Sequence, residues 1–245
     1  MTVPASTTGV QDRITAYWDH RADAYDAHQE RVQTPPVRDA WRRIWGEVLP
    51  DAPADVLDLG TGTGEVAVLL AGLGHRVTAT DLAADMLDIA RRRSAGLAHP
   101  PQLQVGDAVA PDLPPASFDV VTCRYVLWTL REPVAALTRW RALLRPGGRL
   151  VVVDSTWFPT GIHAEGDRRP DGPPEFADFY DPTVAAALPL AEAGSIEPSV
   201  RAVRDAGFVD VEVTPLHELE RLQRAAAVDS DHTVRLQYRI TGRCP

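Results

Sequence analysis

Two hydrophobic periods alternate along most of this chain. Short apolar runs indicate strands, and longer amphipathic stretches between them indicate helices. The predicted strands are 55–60, 75–81, 103–108, 118–126, 149–155, 209–219 and 233–243. The predicted helices are 14–32, 34–50, 65–74, 83–96, 132–148 and 197–208. Such alternation predicts an α/β fold: a doubly wound, mostly parallel seven-stranded sheet with helices on both faces. A short loop without a helix is predicted between the last two strands, so these two strands are predicted to pair antiparallel at the sheet edge.

The pattern also predicts the domain organisation. Residues 1–11 are small and polar, which predicts a disordered tail. Residues 12–245 are predicted to form one domain, with N-terminal helices at 12–50, an alternating core at 51–155 and the end of the sheet at 197–245. Residues 156–196 interrupt the rhythm with prolines, scattered aromatic residues and acids, and are predicted to be an insert after strand five.

Composition narrows the class of protein. The chain has 245 residues, 44% hydrophobic, and lacks an apolar run of membrane-spanning length and a recognisable signal peptide. Its two cysteines, Cys123 and Cys244, do not suggest a disulfide framework. We therefore expect a cytoplasmic protein that does not interact with membranes. The net charge of −9 argues against nucleic acid as a partner.

All 25 basic residues are arginine. A Schiff-base lysine is therefore impossible, and so is the lysine of a phosphate-binding P-loop. An arginine-only, alanine-rich chain is typical of a GC-rich source.

The stretch VLDLGTGTGEVAVLLAGLGHRVTATD (56–81) contains the most informative spacing. Three glycines, at Gly60, Gly62 and Gly64, allow a tight turn and a close approach to a ligand. Asp81 ends the next strand, where a carboxylate can accept hydrogen bonds from a ribose. The loop reads D-x-G-x-G-x-G instead of the dinucleotide pattern G-x-G-x-x-G. Asp58 and Glu65 flank it, and this charge favours a ligand with a cationic amino-acid part over a pyrophosphate.

Five ordered motifs resemble those of the class I S-adenosylmethionine-dependent methyltransferases of the small-molecule type, which have a Rossmann-like fold. They are VLDLGTGTGEVA, the acid at Asp81, VGDA (105–108), FDVVTCRYVLWTLREP and LLRPGGRLVVVD. The resemblance covers about residues 55–155. It implies that S-adenosylmethionine is the cofactor, S-adenosylhomocysteine the product and a small molecule the methyl acceptor. The N-terminal YWDHRADAYD also resembles the helix that covers the cofactor in many members. The resemblance implies a methyltransferase domain in which 12–50 form a helical lid, 51–155 bind the cofactor and the insert at 156–196 is a substrate lid. In GC-rich sources such enzymes often modify secondary metabolites.

The resemblance implies roles for individual residues. The residues expected to bind the cofactor are Tyr25, Asp58, Gly60, Thr61, Gly62, Gly64, Asp81, Leu82, Met86, Asp107, Ala108 and Cys123. Those expected to bind the acceptor are Tyr17, Arg124, Tyr125 and Trp128. Alternatives remain open: Asp107 could form only an Asx turn, Asp58 could only orient the loop, and Tyr25 could only pack within the lid.

Catalysis needs a general base only if the acceptor must lose a proton. His163 and Tyr180 in the insert are the candidates, with His28 and His217 as others. An Asp-Asn pair after strand five would suggest a catalytic metal, but the sequence there reads Asp154-Ser155, so no metal is expected. The [DNS]-P-P-[YFW] signature of nucleic-acid amino methylation is absent, and so are the more specific signatures of quinone-ring methyltransferases. The acidic insert suggests a cationic or amine acceptor.

Two other functions compete with methyl transfer to an O, N, S or C atom of a metabolite. An NAD-dependent oxidoreductase would need the other glycine spacing. A cofactor-binding protein that does not transfer a methyl group would share the same loop. A non-enzymatic scaffold is the weakest alternative, because it would not need the glycines and the three aspartates in register. The oligomeric state cannot be read from the sequence.

Overall fold

The computed structural model describes residues 9–163, 175–226 and 234–245. Its first half contains the helices α1 (Val10–Val32), α2 (Pro35–Gly46), α3 (Glu65–Gly72) and α4 (Ala84–Ser94), and the strands β1 (Asp55–Leu59), β2 (Arg76–Asp81), β3 (Gln102–Val105) and β4 (Phe118–Arg124). After a 3₁₀ turn (Leu127–Thr129) come α5 (Pro133–Leu143), β5 (Leu144–Ser155), α6 (Glu175–Phe179), α7 (Pro182–Ala186), α8 (Glu197–Asp205), β6 (Val209–Pro215), α9 (His217–Ala226) and β7 (Gln237–Arg243).

The seven strands form one sheet in the order β3-β2-β1-β4-β5-β7-β6. The first five strands pair in parallel, and β7 pairs antiparallel with both β5 and β6. The predicted doubly wound sheet with an antiparallel last strand is confirmed. The chain changes direction between β1 and β4, and the carboxyl ends of strands beside such a switch point form the crevice where ligands bind in sheets of this kind.

Apolar cores cover both faces of the sheet. Trp41 and Trp45 of α2 pack with α3 on one face, and Trp140 of α5 packs with α8 on the other. The sequence interpretation of Trp41 and Trp45 as core residues agrees with this packing. A third cluster joins α1 to the insert after β5 through aromatic side chains, among them Tyr17, Phe158, Phe176 and Tyr180. No helix of the described residues is long and apolar enough to cross a membrane.

Several predicted boundaries were wrong. The strand predicted at 209–219 ends at Pro215, and α9 occupies the region predicted to be a loop before the last strand. The helix predicted at 132–148 ends at Leu143, because the chain from Leu144 onward joins β5 beside β4. Val10 and Gln11, predicted to lie in a disordered tail, belong to α1, and the Asp12 carboxylate accepts a hydrogen bond from Gly9 N just before this helix. Residues 1–8 of that tail lie outside the described residues.

Candidate active site

A cavity of about 490 Å³ lies at the carboxyl ends of the central strands, beneath α1. One part of its wall comes from the glycine loop and from the ends of β2 and β3. The other part comes from α1, from the segment after β4 and from the segment after β5. A volume of this size suits a small-molecule ligand.

The glycine loop has a left-handed backbone at all three of its glycines. The φ angles are +64° at Gly60, +55° at Gly62 and +83° at Gly64, values that other residues adopt only with strain. Gly60 and Gly62 line the cavity, as does Thr61 between them. Gly64 does not line it: a Cβ there would lie 2.9 Å from the Cβ of Ala90. Gly64 therefore allows α3 to approach α4, and its predicted contact with the cofactor is not supported by this position.

Asp58 anchors the loop to the sheet. Its carboxylate accepts hydrogen bonds from the hydroxyls of Thr61 (2.7 Å) and of Thr122 on β4 (2.8 Å). The residue lines the cavity although only 1% of its surface is exposed. Burial raises its pKa to about 6, while the two hydroxyls and the nearby Arg124 act in the opposite direction. Asp58 is thus an ionised carboxylate at neutral pH that could face a cation in the cavity.

Asp81 connects the loop to the end of β2. Its Oδ2 accepts a hydrogen bond from Gly62 N (2.7 Å), and its Oδ1 accepts one from Ala83 N (2.9 Å). Burial raises the pKa of this carboxyl, and the two backbone donors act in the opposite direction. Asp81, Leu82 and Met86 all line the cavity. Each carboxylate oxygen still has a lone pair with which to accept a ligand hydroxyl.

Asp107 follows β3 at the same edge of the sheet. Its Oδ1 accepts a hydrogen bond from Val109 N (2.8 Å), so Asp107 does form the Asx turn that the sequence suggested. Asp107 and Ala108 also line the cavity. The Asx turn uses Oδ1 of Asp107, so its Oδ2 can accept a hydrogen bond from a ligand. The carbonyl oxygen of Ala108 accepts a hydrogen bond from Trp140 Nε1 (2.6 Å), which fixes this segment against α5.

Aromatic side chains dominate the other part of the wall. Tyr17, Trp18 and Tyr25 contribute from α1, and Trp128 contributes from the 3₁₀ turn after β4. The ring of Trp18 lies edge-on to those of Tyr25 (5.9 Å between centroids) and Trp128 (6.5 Å). This part of the cavity is suited to an apolar or planar ligand.

Arg124 and Tyr125 end β4 with an unusual backbone. Tyr125 has a φ of +64°, which ends the strand two residues before its predicted limit and is costly for a bulky side chain. Its hydroxyl donates a hydrogen bond to Gln237 Oε1 (2.6 Å), and burial raises its pKa. The Arg124 guanidinium lies over the rings of Trp41 (5.1 Å) and Tyr125 (4.8 Å). Both residues line the cavity, and both are held in place by the surrounding structure.

Comparisons with known proteins agree with this geometry. Residues 57–152 match the family described as "Methyltransferase domain". The demethylmenaquinone methyltransferase of Deinococcus radiodurans is 35% identical over 127 residues, which are 51% of this chain and 53% of the relative. The ubiquinone biosynthesis O-methyltransferase of Xanthomonas euvesicatoria pv. vesicatoria is 34% identical over 145 residues, which are 56% of this chain and 60% of the relative. The chain thus spans between half and two thirds of the length of these two curated relatives.

Solved structures give the same fold over nearly the whole chain. Phosphoethanolamine N-methyltransferase 2 of Haemonchus contortus, solved in complex with S-adenosyl-L-methionine, superposes with a TM-score of 0.67 at 16% identity. The match covers 99% of this chain and 61% of that one. Residues 57–152 thus resemble a methyltransferase domain in sequence, and the whole chain resembles this solved structure in fold.

Within residues 57–152, Cys123 is the second predicted cofactor residue, after Gly64, that does not line the cavity. It is fully buried within β4, beside Val152 of β5, and burial raises the pKa of its thiol. The position is that of a core residue of the sheet, so the prediction of a cofactor contact is not supported there.

The two predicted catalytic residues also lie outside the cavity wall. Tyr180 is fully buried and stacks on Phe176 (4.6 Å between centroids) and on Trp128 (5.6 Å). His163, half-buried just after Ile162, is likewise not among the residues that line the cavity. In the described structure Tyr180 packs in the aromatic core of the insert and His163 is absent from the cavity wall, so this geometry does not support their catalytic roles, which stay predictions.

Sequence reasoning missed several lining residues. Arg21 and Trp18 of α1 line the cavity, as do Trp157, Phe158 and Phe176. The α1 residues could have been found from helical spacing, because Trp18, Arg21 and Tyr25 fall on one face of a helix. The aromatic residues after β5 had no such signal, since their placement depends on how an irregular segment packs.

Polar contacts hold α1 over the cavity. Arg93 of α4 pairs with Asp26 of α1 (2.5 Å) and also with Glu65, the first residue of α3. Asp19 of α1 accepts a hydrogen bond from Asp85 N at the start of α4 (3.0 Å). The helix that covers the cavity is therefore bound to α4, and the same arginine joins α4 to the start of α3 beside the glycine loop.

Groups of three or more metal-ligating side chains do not occur among the described residues. The expectation of a metal-independent reaction remains a prediction.

Proposed function

We propose that this chain is an S-adenosylmethionine-dependent methyltransferase that acts on a small-molecule acceptor in the cavity beneath α1. One observation carries the proposal. Asp58, Asp81 and Asp107 converge on a single cavity from the ends of three neighbouring strands, and Asp81 is bonded to Gly62 of the glycine loop. Carboxylates in this arrangement can accept hydrogen bonds from an ammonium group, ribose hydroxyls and an adenine amino group.

The residues present fit this cofactor better than a dinucleotide. Asp58 and Glu65 both line the cavity next to the glycine loop. A pyrophosphate at the start of α3 would face both carboxylates, although helix N-termini otherwise favour phosphate. A sulfonium cofactor with an ammonium group would instead be attracted by them. The same charges argue against an NAD-dependent oxidoreductase.

The protein's role in the reaction is mainly alignment. The sulfonium supplies its own leaving group: a bond forms between the acceptor atom and the methyl carbon, the bond from sulfur to that carbon breaks, and its electron pair remains on sulfur. Asp58, Asp81 and Asp107 orient one reactant along the strand ends. Tyr17, Trp128, Arg124 and Tyr125 form the proposed acceptor wall, and α1 excludes water. Orientation and exclusion of water can contribute up to about 7–11 kcal/mol for well-aligned reactants.

Titration calorimetry tests which cofactor the cavity binds. We expect S-adenosylhomocysteine to bind and NADH not to bind. Replacing Asp81→Asn removes a carboxylate oxygen, and we expect it to weaken S-adenosylhomocysteine about tenfold or more. Asp210→Asn, at an exposed aspartate paired with Arg243 on the far edge of the sheet, is the matched control. Tight NADH binding, or an unchanged affinity in Asp81→Asn, would refute the assignment.

Release of S-adenosylhomocysteine with a panel of acceptors tests methyl transfer itself. We propose that the acceptor atom is an O, N, S or C atom of a metabolite. We also propose that the protein acts in the cytoplasm and in secondary metabolism, and the composition of the chain is what supports these two proposals. The two relatives described above are named as a demethylmenaquinone methyltransferase and a ubiquinone biosynthesis O-methyltransferase. The sequence match to them is confined to part of each chain. Tight cofactor binding without turnover of any acceptor would favour the alternative of a cofactor-binding protein.

A further inference from the structure

The part of the cavity away from the three aspartates is lined by aromatic rings on several sides. Trp128 is at its centre, with Phe158 (5.3 Å between centroids), Trp18 and Trp157 (6.5 Å each) around it. Phe176 completes this wall from the insert. Four separate segments of the chain thus supply flat apolar surfaces to one space. A planar aromatic ligand would bury its ring there through stacked and edge-on contacts.

The charges on this side are positive. Arg21 is half-buried on α1 and lines the cavity. It is four residues from Tyr17 and from Tyr25, so it lies on the same helix face. Within the described ranges, no carboxylate lies within ion-pairing distance of Arg21. The carboxylates that line the cavity are Asp58, Glu65, Asp81 and Asp107, and they belong to the ends of β1, β2 and β3 or to the start of α3.

This side also lacks a general base in the part of the chain that the structure describes. The histidine among the lining residues is His28, which lies ten residues beyond Trp18 and hence about 15 Å further along α1. The Tyr125 hydroxyl already donates to Gln237, and burial raises its pKa. An acceptor oxygen that is already ionised in water would not need a base.

The acids of the insert give no support to a cationic acceptor where they are described. Asp181 accepts hydrogen bonds from the first turn of α7 and pairs with Arg13. Glu192 accepts a hydrogen bond from Ile162 N (2.8 Å), and Asp178 is exposed. None of these three lines the cavity.

We propose that the acceptor is a planar aromatic compound carrying an anionic oxygen, a phenolate or carboxylate, held between the Trp128 wall and Arg21. This inference rests on the proposed function, since it assigns the second half of the same cavity. The aromatic wall supplies the apolar contact and Arg21 supplies the charge that selects an anion over a neutral or cationic ring.

The test measures binding to the protein saturated with S-adenosylhomocysteine. Three matched probes are titrated by calorimetry: 2-naphthoate, neutral 2-naphthamide and cationic 2-naphthylmethylamine. We expect 2-naphthoate to bind at least about tenfold more tightly than either of the others. In Arg21→Gln we expect this preference to be lost, with the affinity for 2-naphthamide changed less than about threefold. Arg201→Gln, at an exposed arginine on α8, is the control and should behave as the wild type.

Two outcomes of this experiment would overturn the proposal. Equal or tighter binding of the amine would overturn the proposal in favour of a cationic acceptor. A preference for 2-naphthoate that persists in Arg21→Gln would overturn the role of Arg21. Saturation with S-adenosylhomocysteine is established first in every variant, so failure of the cofactor assignment is recognised separately. Folding of Arg21→Gln is checked by the same cofactor titration.

Discussion

Replacing Gly60 with alanine tests how closely the glycine loop packs on the turn after β4. Gly60 has a φ of +64°, and a Cβ placed on it would lie 2.6 Å from Cγ2 and 3.2 Å from Cγ1 of Val126. Gly62 is the matched control: its φ is +55°, but a Cβ placed on it would have Met86 Sδ, 4.0 Å away, as its nearest neighbour. The two substitutions share the backbone strain and differ in the steric clash.

The magnitudes follow from these two contributions. A left-handed alanine costs about 1–2 kcal/mol of unfolding free energy, which is the whole loss expected for Gly62→Ala. Gly60→Ala adds overpacking against a buried β-branched side chain, which costs a further ~1–3 kcal/mol. We therefore expect Gly60→Ala to destabilise the protein by about 2–5 kcal/mol.

Urea unfolding followed by circular dichroism measures both losses, and Val126→Ala completes a double-mutant cycle. Val126→Ala removes both Cγ atoms, and the Val126 Cβ is 3.5 Å from the introduced methyl group. We expect the double variant to be more stable than the sum of the single losses predicts, by at least about 1 kcal/mol. Additive losses, or equal losses for Gly60→Ala and Gly62→Ala, would refute the packing argument.

Two further predictions concern buried and paired charges. Burial raises the pKa of Asp58 and of Asp154 to about 6, above the value of 3.8 for a free carboxyl. Each group therefore binds its proton more tightly in the folded state, and its contribution to stability falls as pH rises from about 4 to about 6. Asp154→Asn should change the difference in unfolding free energy from wild type by about 2–3 kcal/mol between pH 4 and pH 7; a pH-independent difference would contradict this. Arg93→Gln breaks the ion pairs that join α4 to α1 and to α3, and it should weaken S-adenosylhomocysteine binding about threefold to tenfold in calorimetry. Arg91→Gln, at an exposed ion pair with Asp88, is the control and should change the affinity less than twofold. Equal effects of the two substitutions would argue against a role of the Arg93 ion pairs in holding α1 over the cofactor site.

The cofactor side of the site could be predicted from sequence because its geometry is local. Asp58, Gly60 and Gly62 are fixed by one strand and one turn, and Asp81 follows at the end of the next strand. The pairing of neighbouring parallel strands brings such strand ends to one edge. A loop spacing therefore carries enough information to predict which of these side chains meet. Gly64 was the exception, since its glycine is required by the packing of Ala90 and not by a ligand.

The missed helix α9 had a readable signal. Leu216, Leu219 and Leu222 recur every three residues, a helical spacing, and Leu216 and Leu219 are buried against α2. The strand was predicted to continue beyond Pro215 because valines alternate with polar residues up to the proline, and the prediction extended this alternation to residue 219. The positions of His163 and Tyr180 relative to the cavity could not be predicted for another reason: both were chosen by residue type, and neither belongs to an element whose packing could be derived from periodicity.

The two halves of the cavity therefore differ in how much of the chain must fold before each is complete. The aspartates and glycines are in place once β1, β2, β3 and β4 pair. The aromatic half needs α1 docked on α4 and the insert packed on Trp128, through contacts that join residues more than 100 positions apart, such as Tyr17 with Phe176. Changes in α1 or in the insert can therefore alter the acceptor site while the strand ends keep their geometry. A substitution such as Arg21→Gln is expected to change acceptor selection without loss of cofactor binding for the same reason.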